Sequence, residues 1–330
     1  MLQQLPLLTL GHGAMTFPPP RDPTFSYLWF SQGCSIGCDC DENTDYYFSP
    51  TDLCGGGWKP TLPDAYRTFA NISMPSGQGD FTEYHPWRSP GTARPLDSCG
   101  LAGGSTKNND AAGGFGNMTI AHKQGFKGSA LPPVATPARW QAGATVEVSW
   151  TIWANHGGGY VYRLCPAAEG LTEACFERTI LPFVGATQRL RWRSGKELEI
   201  PATRVAEGTY PKGSVWSKVP IPACKSFSGG FKGKGCDTPT FAPPKGCDET
   251  CWGYQPCYLT LLPSGKCSYP AIKTIEIPAI VDKVMLPKSL KPGKYVVSLR
   301  WDCEQTPQIW NQCGDVEIAA AHEEVEVEVA

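Results

Sequence analysis

At 330 residues and a formal net charge of -2, the chain gives no electrostatic reason to expect nucleic acid or an acidic membrane surface as a partner. With Gly 36, Pro 31 and only 18% charged residues, it is poor in long surface helices and rich in turns. No apolar run approaches the ~18 residues of a membrane span, and one all-β domain with long loops is the economical reading, since such domains reach about 250 residues.

Residues 1–11 hold an apolar stretch over 5–10, interrupted by Pro6, with no basic residues before it. That is shorter than the roughly 15 to 30 residues of a secretory signal, so it reads as the remnant of a truncated or misannotated one. Cleavage is expected before His12. A first-residue His12 offers an imidazole and a free α-amine, and that amine, with an ordinary pKa of roughly 7.7 to 8, deprotonates at little cost near neutral pH. An uncut chain leaves His12 with an ordinary amide.

From 12 to about 140 the chain is dense in Gly, Pro, Asn and Asp, and few strands are predicted there. It holds a compact group, Cys34, Cys38, Cys40 and Cys54, whose spacing permits zinc but which suits disulfides better in a secreted chain. Altogether 15 cysteines point to an oxidising compartment, and the odd number leaves one thiol over. Acceptor sequons at Asn71-Ile72-Ser73 and Asn117-Met118-Thr119 agree with secretion.

Regular structure begins at Ala144. There Val146, Val148, Trp150, Ile152 and Ala154 alternate with Thr145, Glu147, Ser149, Thr151 and Trp153, the period-two pattern of a half-buried strand. It ends at Asn155-His156-Gly157, which puts His156 on a rim loop. Residues 160–164 are predicted to return as its hairpin partner after the glycine turn. Further strands are predicted over 197–201, 258–262, 273–277, 293–302 and 316–318. Between them Cys224, Cys236, Cys247, Cys251, Cys257 and Cys267 punctuate a polar insertion over 224–267 that needs disulfides to hold it. Acid alternates with valine in the segment 319–330, either an edge strand or a frayed tail. Short strands separated by turn signals make the expected fold an all-β, antiparallel β-sandwich with long disulfide-bonded loops. It would span 12–318 as one unit.

Three nitrogens, from the amine and imidazole of His12 and the imidazole of His156, suit Cu(II) better than zinc, whose structural sites favour thiolate-rich tetrahedra. Copper is therefore the metal expected. Of the 5 histidines, His85, His122 and His322 lack such a context.

The residues His12-Gly13-Ala14-Met15-Thr16-Phe17-Pro18-Pro19-Pro20-Arg21 open one motif, and Ala154-Asn155-His156-Gly157-Gly158 with Tyr162-Arg163-Leu164-Cys165-Pro166 a second. With Trp301-Asp302-Cys303 and Cys313-Gly314-Asp315-Val316, the set resembles the lytic polysaccharide monooxygenases. The likeness is strongest to auxiliary activity family 15, with chitin-binding type-4 domains behind it. The resemblance implies an immunoglobulin-like or fibronectin-like sandwich and a copper held by His12 and His156. It further implies oxidative cleavage of a β-1,4-linked polysaccharide, chitin or cellulose, at C1 or C4. The partners implied are the polymer and an external electron donor, and the protein is expected to be a secreted, extracellular monomer.

Family members place a Tyr or Phe on the copper axis. Counting back from Cys313, Trp310 stands there, either shielding the axial face or serving as core, with Tyr162 as the other aromatic to consider. Glu304, Gln305 and Gln308, in an expected strand-bridging loop, are the polar residues that resemblance places near the copper for an acid–base role. Tyr27, Trp29, Tyr46, Tyr47 and Trp58 are the aromatics expected to stack on sugar rings, some of them serving the core instead. Two other functions fit the same sequence. A non-catalytic carbohydrate-binding or cell-wall structural module would bind sugar without copper, and an extracellular copper carrier would bind copper without adsorbing to polymer.

Overall fold

The computed structural model describes residues 13–22, 29–31, 86–104, 124–152, 156–192, 195–220, 278–304 and 308–320. Among the described residues the architecture is an all-β sandwich with one short α-helix, α1 (Glu173–Glu177). The expected strands at 258–262 and 273–277, the insertion at 224–267, the Cys34 group and the 321–330 part of the tail lie outside them.

In chain order the strands are β1 (Gly13–Phe17), β2 (Trp29–Ser31), β3 (Leu101–Ala102), β4 (Arg139–Gln141), β5 (Thr145–Ile152), β6 (Gly159–Pro166) and β7 (Thr187–Arg191). They continue as β8 (Glu197–Pro201), β9 (Arg204–Val205), β10 (Trp216–Lys218), β11 (Ala279–Met285), β12 (Gly293–Asp302) and β13 (Ile309–Ala319). One sheet runs β1-β5-β11-β7-β8. The other runs β3-β2-β13-β12-β6-β10-β9, with β4 added to β13. Pairing is antiparallel throughout except for β4, which runs parallel to the end of β13.

Alternation in β5 works as the sequence predicts: Val146, Val148, Trp150 and Ile152 are buried between the sheets. Rings from both sheets meet there, Trp150 lying 5.3 Å from Trp301 and 4.6 Å from Tyr160 between centroids. Burial of such aromatics is the main stabilising term of a sandwich core.

The expected β5–β6 hairpin is not formed. Both edges of β5 are taken, by β1 and β11, while β6 pairs with β12 and β10 in the opposite sheet. Sheets stack about 10 Å apart, so β5 and β6 lie in different layers instead of turning within one. His156 therefore stands where the two sheets are joined at one end.

Polar residues lock the layers. Tyr160 on β6 donates its hydroxyl proton to Asp282 on β11 at 2.6 Å, and Arg204 on β9 donates to the same carboxylate at 3.2 Å. Burial pushes the Asp282 carboxyl up, against the pull of Arg204 and the Tyr160 hydrogen bond. On the outer face of the larger sheet, segment 86–104 lies across Arg163, Ser298, Arg300 and Asp302. Arg300 holds Asp302 at 2.7 and 3.0 Å, Glu173 at 2.7 Å and the Ala93 carbonyl at 2.6 Å. Arg163 also pairs with Glu173. The Cys99–Cys313 disulfide staples segment 86–104 to β13, and Cys165–Cys175 ties α1 to β6.

Two residues of the quoted motifs are structural. Arg21 makes a buried fork to Asp315 at 3.0 and 2.7 Å and donates to the Leu131 carbonyl at 3.0 Å. A Cβ at Gly314 would lie 2.6 Å from the Pro19 carbonyl oxygen, so the proline run passes over β13 only because that residue is glycine.

Candidate metal centre

His156 is 2% exposed, at the end of the sandwich where the 156–158 loop enters β6. Gly157 and Gly158 have φ of 65° and 78°, left-handed values that glycine adopts without strain. At Gly158 a Cβ would lie 2.0 Å from the Asp302 carbonyl oxygen, so no other residue fits. The loop is tied down on three sides. Trp301 donates its indole N–H to the Gly157 carbonyl at 2.7 Å. Val219 donates its backbone N–H to the Gly158 carbonyl at 2.8 Å. The Glu304 backbone N–H reaches the His156 carbonyl at 3.1 Å, and the Glu304 carboxylate accepts the Gly158 N–H at 3.2 Å.

Trp301 is the centre of this arrangement. Its ring stacks on His156 with centroids 5.9 Å apart and planes at 21°. From the other sheet Gly13 comes against the same ring: a Cβ there would be 2.8 Å from Cε3 of Trp301 and 3.1 Å from Cζ3 of Trp150. Gly13 is held by its pairing to Ile152 across β1 and β5. Farther along β1, the Met15 N–H meets the Gln312 side-chain oxygen at 2.5 Å and Thr16 shares a 2.7 Å hydroxyl contact with Ser149. The residue bonded to His12 and the imidazole of His156 thus touch one indole. His12 itself lies outside the described residues, as do His85, His122 and His322.

The other expected site residues divide. Glu304 is half-buried against the His156 loop. Trp310 is 2% exposed, 6.1 Å from Trp301 and stacked 4.5 Å from Phe30, with its N–H donated to Gln308 at 3.2 Å. It stands in the aromatic layer beside Trp301. Gln308 is buried in that contact, and Gln305 lies outside the described residues. Tyr162 is core, packed on Tyr160 and Phe183. Trp29, expected among the sugar-stacking aromatics, is 2% exposed in a cluster with Ala102 and Leu131, and donates its N–H to Asp22 at 2.9 Å. A ring so covered packs the interior. Tyr27, Tyr46, Tyr47 and Trp58 lie outside the described residues.

Sequence reasoning passed over Trp301 as a site residue, although it quoted the Trp301-Asp302-Cys303 motif. The signal was its inward place, one residue before the end of a strongly alternating strand and opposite Trp310 in register.

The donor set fits copper in part from described residues. His156 brings one imidazole, and the covalent neighbour of Gly13 brings the other imidazole and, when it is the first residue, an amine. Nitrogen donors of this kind suit Cu(II). Among the described residues no group of three His, Cys, Asp or Glu side chains stands together as an alternative metal cage.

No family model and no curated protein matches the chain. Among solved structures, it is similar to a chitin binding domain from Burkholderia pseudomallei at 15% identity, over 55% of this chain and 56% of that one, with a TM-score of 0.24. A lytic polysaccharide monooxygenase AA15 from Thermobia domestica, in the Cu(I) state, aligns at 14% identity over 55% and 62%, with a TM-score of 0.25. An AA10 lytic polysaccharide monooxygenase from Streptomyces lividans aligns at 12% identity over 60% and 70%, with a TM-score of 0.24. The chain thus spans 56% and 62% of the first two. These are distant likenesses, and the reading of the site rests on its own residues.

Proposed function

We propose that the chain is a secreted copper-dependent lytic polysaccharide monooxygenase, which cleaves a β-1,4-linked polysaccharide, chitin or cellulose, oxidatively. The observation that carries this reading is the shared contact of Gly13 and His156 on Trp301. Consecutive Cα atoms are only about 3.8 Å apart, so His12 is bonded to a residue already seated on the indole that stacks against His156. His12 and His156 would hold the copper, which supplies the activation of dioxygen or peroxide needed to take hydrogen from C1 or C4 of the sugar.

The chain's own residues do the rest. Trp301, Trp150 and Trp310 form an apolar floor that keeps water from beneath His156. Gly13 lets β1 approach that floor as closely as a backbone can. Tyr27, Tyr46, Tyr47 and Trp58 are proposed to stack on the polymer, and an external donor supplies electrons. Secretion agrees with the two disulfides among the described residues, since such bonds persist in oxidising compartments. No helix among the described residues is long and apolar enough to cross a membrane.

Protein beginning at His12, loaded with copper and given a reductant, is expected to release oxidised oligosaccharides from chitin or cellulose, read by mass spectrometry, and His156→Ala to release none. Adsorption to polymer without copper-dependent products would mark a binding module, and tight copper binding without adsorption a carrier. Either result contradicts the proposal.

A further inference from the structure

Glu304 meets the His156 loop at both of its ends. Its backbone N–H is donated to the His156 carbonyl at 3.1 Å, and its carboxylate accepts the Gly158 N–H at 3.2 Å. One residue therefore bridges two successive peptides of the loop, the one between His156 and Gly157 and the one between Gly157 and Gly158. The conformation it closes is one that the chain does not hold by propensity: two consecutive left-handed glycines have many alternatives in solution. Trp301 and Val219 hold the carbonyls of this loop, but the side-chain acceptor for an N–H in it comes from Glu304.

We infer that Glu304 is a positioning residue, which fixes the imidazole of His156 by closing the 156–158 loop onto the residues that follow β12, rather than the acid–base group expected there. One oxygen of the carboxylate accepts a main-chain N–H. What the role requires is an oxygen at the reach of a Glu side chain; a titratable proton is not needed.

That distinction sets Gln and Asp against each other. Glu304→Gln keeps the length and an acceptor oxygen but loses the acid. Glu304→Asp keeps the acid but is one methylene too short to reach Gly158. Two readouts separate the roles in protein beginning at His12. The first is amide hydrogen exchange at Gly158 in the metal-free protein, and the second is the Cu(II) electron paramagnetic resonance spectrum after loading. Positioning predicts native exchange and a native spectrum for Glu304→Gln, and for Glu304→Asp and Glu304→Ala an exchange rate raised roughly tenfold with a shifted spectrum. Exchange unchanged in all three variants, or Gln altered together with Ala while Asp stays native, overturns the inference.

Only the spectroscopic readout rests on the proposed copper function. Exchange at Gly158 is measured without metal, so a protein that binds no copper still decides the role of Glu304. Should Glu304→Ala fail to fold, the Gln and Asp variants carry the comparison.

Discussion

Glycine and tryptophan, rather than the histidine alone, make the end of this sandwich specific. Gly13→Ala places a methyl 2.8 Å from the Trp301 ring and 3.1 Å from that of Trp150. Overpacking of this kind costs about 1–3 kcal/mol. Denaturant unfolding should report that loss, and copper titration a weaker site, since β1 must retreat from the indole. Trp301→Phe keeps an aromatic floor but removes the N–H donated to Gly157. Its unfolding free energy should fall by about 1–3 kcal/mol, the cost of leaving a buried carbonyl without its donor. An unchanged unfolding curve would show that the indole N–H does not hold the loop. At this scale the place of His156 in a loop at the end of a strand is legible from the alternation before it, whereas a residue that acts through shape is not. Trp29 lies in a segment read as loop and Trp301 in a predicted strand, and neither context says what the ring meets. Only the fold puts one against Asp22 and the other against His156.

Legibility of the strands followed how uniformly apolar their inward faces are. β8 and β12 have the predicted bounds, 197–201 and 293–302, and β5 lies within its predicted span. β11 went unpredicted because Asp282 interrupts Ile280 and Val284 on the inward face, where Tyr160 and Arg204 meet it. β13 was read only at 316–318, although it begins at Ile309, because Gln312 and Gly314 stand at inward positions. Gln312 is there to accept the Met15 N–H and Gly314 to admit Pro19, both long-range demands that no local pattern records. The β5–β6 hairpin was mistaken for the same reason: a glycine turn signals reversal, and only strand partners far away in sequence decide which sheet the chain returns to.

The cover on the outer face of the larger sheet is an element-scale device with a pH signature. Burial raises the Glu173 carboxyl, but the guanidiniums of Arg163 and Arg300 outweigh that and bring it from 4.5 down to about 2. A folded-state pKa below the unfolded one contributes stability present in full above about pH 4.5 and lost as pH falls through about 2. The shift corresponds to on the order of 3 kcal/mol. Thermal melts from pH 7 to 2 should show that the native protein loses this increment on acidification. Glu173→Gln should be less stable at pH 7 and approach the native curve near pH 2. Parallel curves at all pH values would show that the carboxylate does not hold the cover.

For the whole molecule, distant parts of the chain are cross-tied. Cys99–Cys313 joins residues 214 apart in sequence and fastens segment 86–104 to β13. In the chain-entropy account a closure of that length stabilises strongly, and removing a native disulfide costs roughly 2–5 kcal/mol. The double variant Cys99→Ser with Cys313→Ser should melt well below the native protein, whereas an unchanged melting temperature would assign the cover to its ion pairs alone. The sandwich class was legible from turn density and period-two strands. The cover was not, because it is built from a segment with little regular structure that is recognised by a buried arginine.

The central claim is that His12, as a first residue seated beside Trp301, completes a three-nitrogen copper site with His156. Cu(II) titration followed by electron paramagnetic resonance of two preparations, one beginning at His12 and one retaining Gly11, tests it most directly. Tight binding with an axial three-nitrogen spectrum in the first preparation only is the predicted result. Equal, weak binding in both would contradict the account.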